Sequence, residues 1–206
     1  MKKILLLFFS CTVISSQAQL KDSITASLQH KPTIYFNYGS QFGFIRNEFA
    51  KTFFIKAGLD YNKTTKFGLG FNWLRPRPER ILDLPEGKKY GRLEMNYFSL
   101  FAEYTFFKTY RWEASIPAQV GVGWANYSYE ENSIRKTLRR HPLVLYEPMM
   151  TIQYRFFRYF AAGCGLGYRL VILKSQMSDE QFTSPVFVVK TKFYFGDMWR
   201  DIRHRK

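Results

Sequence analysis

Residues 112–124 read Trp-Glu-Ala-Ser-Ile-Pro-Ala-Gln-Val-Gly-Val-Gly-Trp. Trp112, Ala114, Ile116, Ala118, Val120, Val122 and Trp124 fall on one parity, and Glu113, Ser115, Pro117, Gln119, Gly121 and Gly123 on the other. Successive side chains of a β-strand point to opposite faces, so this stretch predicts a strand with one uncharged face and one small, polar face. Tryptophan closes the apolar face at both ends, and indole rings concentrate at the two water boundaries of a membrane. The stretch is also long enough for a tilted bilayer crossing, which takes roughly 9 to 11 residues.

The same parity recurs along the chain. Strands are predicted at about 33–40, 53–62, 67–73, 98–106, 112–124, 144–154, 160–170 and 187–196. No charged residue stands on the apolar face of any of them. The opposite faces carry Lys56, Asp60, Glu103, Glu113, Glu147, Arg169, Lys190 and Lys192. A soluble barrel would put charge outside and apolar side chains in its core; here the order is reversed, which predicts lipid outside and an ionic interior. Small inward residues such as Gly70, Gly121, Gly163 and Gly165 leave room for long charged side chains in a narrow lumen. Glu103, Glu113 and Glu147 are expected to pair with Lys190, Lys192, Arg169 or Lys56 and hold that lumen shut.

The connections alternate in length. Short turns are predicted at 63–66, at 108–111 and around Phe157 and Arg158; long polar links at 41–51, 75–93, 125–142 and 174–185. Short turns at one end and long loops at the other mark an outer-membrane barrel, whose short turns are periplasmic. The fold class is therefore all-β: an eight-stranded antiparallel up-and-down transmembrane β-barrel over 33–196, with four external loops. The 21 Phe, 14 Tyr and 4 Trp residues then have a place. Tyr61, Phe67, Phe106, Trp112 and Tyr154 sit at the turn ends of the outward faces, and Trp73 and Trp124 at the loop ends, as two aromatic girdles.

The ends of the chain are different in kind. Lys2 and Lys3 precede an apolar run, and Ser16-Gln17-Ala18 supplies small residues for cleavage, so 1–18 reads as a signal peptide. Cys11 raises a lipoprotein signal as an alternative, which the bulky Phe8 and Phe9 fit poorly. Residues 19–32 are expected to be a periplasmic N-terminal segment and 197–206 a basic periplasmic tail. The apolar run is confined to this first segment, which excludes a helical membrane bundle. Two cysteines exclude a disulfide scaffold, and 46% hydrophobic residues exclude a disordered chain.

Eight such strands, a signal ending in Ala18-Gln19, the stretch Tyr-Phe-Ser-Leu-Phe-Ala-Glu-Tyr at 97–104 and Phe-Tyr-Phe-Gly at 193–196 together resemble the small outer-membrane β-barrel proteins of Bacteroidota, a porin-like or OmpA-like group. The resemblance implies export to the outer membrane of a Gram-negative bacterium and insertion by the barrel-assembly machinery. One departure is the ending. Many such barrels finish on an aromatic residue, whereas Asp-Met-Trp-Arg-Asp-Ile-Arg-His-Arg-Lys follows here, which implies an internal recognition signal at Phe195.

Candidates for chemistry are few. His30, His141 and His204 stand before the first strand, in the third long link and in the tail, with no Cys or carboxylate at metal-ligand spacing. Gly163-Cys164-Gly165-Leu166-Gly167 lies within a strand and precedes no helix, so it is no nucleotide loop. No catalytic residue, metal ligand or cofactor is expected. Lipid-A-modifying barrels remain an alternative; they need a serine nucleophile with histidine in reach, and only His141 borders a barrel end. A net charge of +15 would suit nucleic acid, but the bases are scattered over turns, links and tail. The basic links 75–92 and 135–140 are better matched to acidic glycolipid, lipopolysaccharide or lipooligosaccharide, in the outer leaflet. The expected function is thus a non-enzymatic barrel with a plugged lumen and a structural or surface-binding role. A further alternative is an accessory subunit of a larger outer-membrane secretion or transport complex, docked through the tail.

Overall fold

The computed structural model describes residues 20–45, 48–76, 79–84, 87–131, 134–138, 140–173 and 182–194. The expected signal peptide with Cys11, the internal signal at Phe195, and the tail with His204 lie outside the described residues. Ten strands form one antiparallel sheet: β1 (Thr33–Ile45), β2 (Glu48–Tyr61), β3 (Thr65–Leu74), β4 (Glu79–Leu84), β5 (Gly87–Lys108), β6 (Trp112–Glu131), β7 (Ile134–Thr137), β8 (His141–Phe157), β9 (Phe160–Leu173) and β10 (Ser184–Phe193). Eight of them close a ring in the order β1-β2-β3-β5-β6-β8-β9-β10, and β10 returns to β1 with Phe36 opposite Phe193 and Gly43 opposite Val186. The short strands β4 and β7 pair only with the first residues of β5 and the last residues of β6. Closure leaves the ring without an edge, the condition for a sheet to exist in hydrocarbon, where no water can satisfy a free N–H or C=O. No helix among the described residues is long and apolar enough to cross a membrane.

Burial follows the parity seen in the sequence. Ile34, Leu69, Phe98, Leu100, Val122, Met150, Leu166 and Val189 are exposed on the outside, while Lys56, Glu103, Glu147, Arg169 and Lys192 are buried inside. One slip occurs. The β5–β6 register shifts between Thr105 and Phe107, so Phe106 and Phe107 both face outward. A β-bulge inserts one unpaired residue and returns the strand to phase.

The ends of the strands depart from the sequence reading. The link at 41–51 is not a long loop: β1 and β2 stay paired out to Ile45 opposite Glu48. The link at 75–93 holds the hairpin β4–β5, with Ile81 opposite Tyr90 and Glu79 opposite Arg92. That at 125–142 holds the end of β6, all of β7 and the start of β8. His141 is thus the first residue of β8, opposite Ala125, and not a loop residue. The physical reason is that strands outside the lipid need no apolar face, so the period fades while the hydrogen-bonded ladder continues. The link at 174–185 lies mostly outside the described residues; Ser184 and Pro185 already belong to β10.

The turns at the other end are as short as expected. Tyr61 and Thr65 bracket one of them, where Asn62 and Lys63 hold φ values of 52° and 55°. Asparagine tolerates this left-handed region better than most residues. Residues 20–28 form a helix beside this end. Its Ser27 hydroxyl is buried and hydrogen-bonds Thr65 Oγ1 at 2.7 Å, so the N-terminal segment is docked on the barrel mouth.

Candidate functional site

Among the described residues the lumen concentrates the buried titratable side chains, and it divides into levels along the barrel axis. Nearest the short turns lies a cluster of five side chains from four strands. Lys66 on β3 is fully buried, and its Nζ reaches Glu103 Oε1 at 3.0 Å, Glu113 Oε1 at 2.6 Å and Thr105 Oγ1 at 2.9 Å. Lys192 on β10 places its ammonium 3.0 Å from both Glu113 oxygens. Lys190, two residues before it on the same face, lies 3.4 Å from Glu103 Oε2. The Ser115 hydroxyl donates to Glu103 Oε1 at 3.0 Å and that of Tyr194 to Glu113 Oε2 at 3.3 Å. Each carboxylate therefore serves two ammonium groups and at least one hydroxyl, which is how a buried ion offsets its lost hydration.

Above it, Glu147 on β8 forms a second centre. Arg169 and Gln119 both donate to it, Gln41 Nε2 donates to Oε2 at 3.1 Å, and the Tyr97 hydroxyl lies 3.3 Å from Oε2. Arg169 also donates from a terminal nitrogen to Tyr97 Oη at 3.3 Å. Four strands besides β8 thus converge on one carboxylate. Gly121 lets this happen: a Cβ there would lie 2.7 Å from the Tyr97 ring.

Higher still the lumen turns apolar. Ile45, Ala50, Leu74, Leu93, Met95, Ala125, Tyr127, Leu143, Leu145 and Phe182 pack into one cluster with the Tyr97 ring. Met95 and Leu145 are completely shielded from solvent. The sequence predicts a small, charged interior, so the apolar cluster is a correction. Its signal was present in Leu93, Met95, Leu143 and Leu145, inward by parity but placed at or beyond the predicted strand ends.

Each expected lumen residue is inside. Lys56, Asp60, Glu103, Glu113, Glu147, Arg169, Lys190 and Lys192 are all buried, and the structure joins Glu103 to Lys190, Glu113 to Lys192 and Glu147 to Arg169. Lys56 departs from the expectation of a glutamate partner. Its cross-strand neighbours, Asn37 and Gly70, offer no carboxylate, and its ammonium lies 4.9 Å from the Phe54 ring centre and 5.5 Å from that of Phe101. Aromatic faces attract a desolvated cation and partly replace a counter-ion. Asp60 is buried with Oδ1 unpartnered. Lys66, the hub of the lower cluster, falls within the turn predicted at 63–66 because it adjoins Lys63, Thr64 and Thr65, but it belongs to β3, opposite Asp60.

Of the expected girdle, Phe67, Phe106 and Trp112 are exposed and Tyr61, Trp73, Trp124 and Tyr154 half-buried. Several interlock: Trp112 on Tyr154 at 4.8 Å, Tyr61 on Phe67 at 6.5 Å, and Trp73 on both Phe53 and Phe71. Cys164 is a free thiol on the lipid face. Among the described residues no group of three or more His, Cys, Asp or Glu side chains could hold a metal ion.

No protein-family model matches the chain, and no curated protein matches it in sequence. Solved structures do match in fold. Neisserial surface protein A superposes with a TM-score of 0.56 at 9% identity, covering 80% of this chain and 99% of that one. Ail, the attachment invasion locus protein of Yersinia pestis, in complex with the heparin analogue sucrose octasulfate, superposes with a TM-score of 0.50 at 11% identity, covering 79% and 98%. Identities this low speak for the fold alone, and that fold is the small outer-membrane β-barrel.

Proposed function

We propose that this protein is a non-enzymatic outer-membrane barrel of a Gram-negative bacterium, exported by the signal at 1–18, with a closed lumen and a working surface at its loop end. The observation that carries the reading is the filled interior. Five buried bases and four buried acids occupy the lower lumen, and an apolar cluster stops the upper one. An eight-stranded barrel has room for side chains and little else. Packing of this kind among the described residues supports a lumen closed between the two ends of the barrel.

The working surface is then the set of strand extensions beyond the girdle. On the β4–β5 hairpin, Ile81 and Tyr90 form an exposed cross-strand pair, 50% and 71% accessible. Exposed Lys88 lies just beyond it, and Arg92 pairs with Glu79 in open solvent at 2.8 Å. Apolar surface flanked by cations suits an amphiphile with an anionic headgroup, and acidic glycolipid of the outer leaflet is the partner of that description. Insertion by the barrel-assembly machinery belongs to the same reading.

Three measurements test it. In planar bilayers the purified protein should stay electrically silent; steady conductance steps would overturn the closed lumen. Deleting the gene should leave the mass of lipid A unchanged, whereas a lost or gained acyl chain would restore the enzymatic alternative. Binding of acidic glycolipid to the reconstituted barrel should weaken as salt rises and in Lys88→Glu. An unchanged affinity would remove this hairpin from the contact.

A further inference from the structure

On the outer wall of the barrel, at the loop end, two cations stand side by side. The backbone N–H of Arg75 donates to the Lys51 carbonyl at 2.9 Å, which carries the β2–β3 ladder one step past Thr52 opposite Leu74. The alternation that turns Phe53 and Trp73 outward turns Lys51 and Arg75 outward as well, and Arg75 is exposed. The Lys51 ammonium lies 4.5 Å from the Phe53 ring centre and 5.4 Å from that of Phe42, which fixes it on this face.

Like charges directly across a strand pair repel and cost stability. Among the described residues neither cation meets a carboxylate that would relieve this. Glu94 on β5, two residues before the Asn96 that faces Trp73, accepts instead from Asn126 at 3.4 Å and from Ser128 at 3.1 Å. Ring faces attract the Lys51 charge but leave its N–H donors without an oxygen acceptor. Directly below, toward the middle of the barrel, the same face is aromatic: Trp73 stacks on Phe53 at 6.1 Å and on Phe71 at 5.7 Å. One step of two residues along a strand is roughly 7 Å, so the cations lie just above the girdle, at headgroup height.

We infer that Lys51 and Arg75 together seat a phosphate group of an outer-leaflet glycolipid, with its acyl chains against Phe53, Phe71 and Trp73. Arginine matches phosphate oxygens with paired, charge-assisted hydrogen bonds and lysine adds point charge, so one phosphate answers both cations and removes their repulsion. The order of layers, charge above and aromatic wall beneath, is that of a phosphorylated lipid standing beside the barrel. The inference rests on the loop end facing the outer leaflet, as proposed above, and adds a seat apart from the β4–β5 hairpin.

The test uses the full chain in a maltoside detergent, which carries no phosphate. Bisphosphorylated lipid A is titrated in, with bound lipid counted by native mass spectrometry, beside the same lipid stripped of its phosphates. The phosphorylated lipid should be retained, more weakly as salt rises, and the stripped lipid at least about tenfold less well. Lys51→Ala combined with Arg75→Ala should lower the affinity for the phosphorylated lipid about tenfold or more, with folding checked by the heat-dependent gel shift of an intact barrel. Lys51→Arg, which keeps the charge, should retain most of it. Equal retention of the two lipids, or an unchanged affinity in the folded double variant, would overturn the seat. Lys88→Glu separates this outcome from the hairpin reading. Weakening by Lys88→Glu alone overturns the seat and keeps the hairpin, weakening by the double variant alone does the reverse, and weakening by each supports two seats. No retention by the unaltered protein overturns both.

Discussion

The two halves of the lumen are built on the same strands with the same inward parity, yet they are held by opposite means. Near the short turns Lys66, Glu103, Glu113, Lys190 and Lys192 form one ionic cluster. Near the loops Leu93, Met95, Leu145 and their neighbours form an apolar one. The ionic half must overcome the loss of hydration of every charge, so its members depend on each other and removing one strands the rest. In the apolar half each residue contributes through the area it buries and the space it fills, and no charge is stranded when one is removed. Glu147, bound by Arg169, Gln119, Gln41 and Tyr97, is the boundary, and the Tyr97 ring belongs to both. The comparison teaches that one narrow barrel can pack its interior by two unrelated kinds of order.

Single and paired substitutions separate the two. The largest loss is expected from Lys66→Met, which leaves Glu103 and Glu113 short of a counter-ion in a dry interior. About 3–5 kcal/mol should disappear from the unfolding free energy measured by urea titration in lipid vesicles. Replacing Leu145 by Ala in the apolar half should cost about 2–5 kcal/mol through the cavity it leaves. If Leu145→Ala proved harmless, the upper cluster would be a loose lining and the comparison would fail on that side.

A volume increase probes the boundary. Gly121→Val would push its side chain into the ring of Tyr97 and into Leu145, whose Cδ1 would lie 2.9 Å from the added Cβ. About 1–3 kcal/mol is expected, read in the same titration. The smallest effect should come from replacing both members of an ion pair. With Glu147→Leu and Arg169→Met together, no charge is left stranded, and stability should change far less than with Glu147→Leu alone. Equal losses in the single and double variants would show that the pair is a set of separate hydrogen bonds and not a unit.

How much of this was legible varies with position. Inside the membrane every inward and outward assignment can be read from parity, because lipid forbids charge on one face and a narrow lumen demands small or paired residues on the other. Beyond the membrane that constraint lapses. Phe42, Phe44 and Phe49 still alternate with Gln41, Gly43 and Ala50, but Arg46, Asn47 and Glu48 disguise the hairpin as a polar loop. Lys66 was hidden by its neighbours: after Lys63-Thr64-Thr65 a fourth polar residue looks like more turn. The docking of Ser27 on Thr65 had no periodic signal to announce it, since a helix of nine residues, 20–28, is too short to carry one.

The amino-acid sequence by itself determined the eight strands of the ring, the side of the sheet on which most of their side chains lie, and the classes of residue on each face, because a period of two records the environment of each face directly. Only the tertiary structure decided which inward charges meet. Lys66, Glu113 and Lys192 come from β3, β6 and β10, and their contact depends on strand stagger and barrel curvature, which join residues far apart in the chain. It also decided that Lys56 faces aromatic rings and that apolar side chains pack together in the upper lumen. Parity tells a residue which way to point; closure of the barrel decides what it finds there.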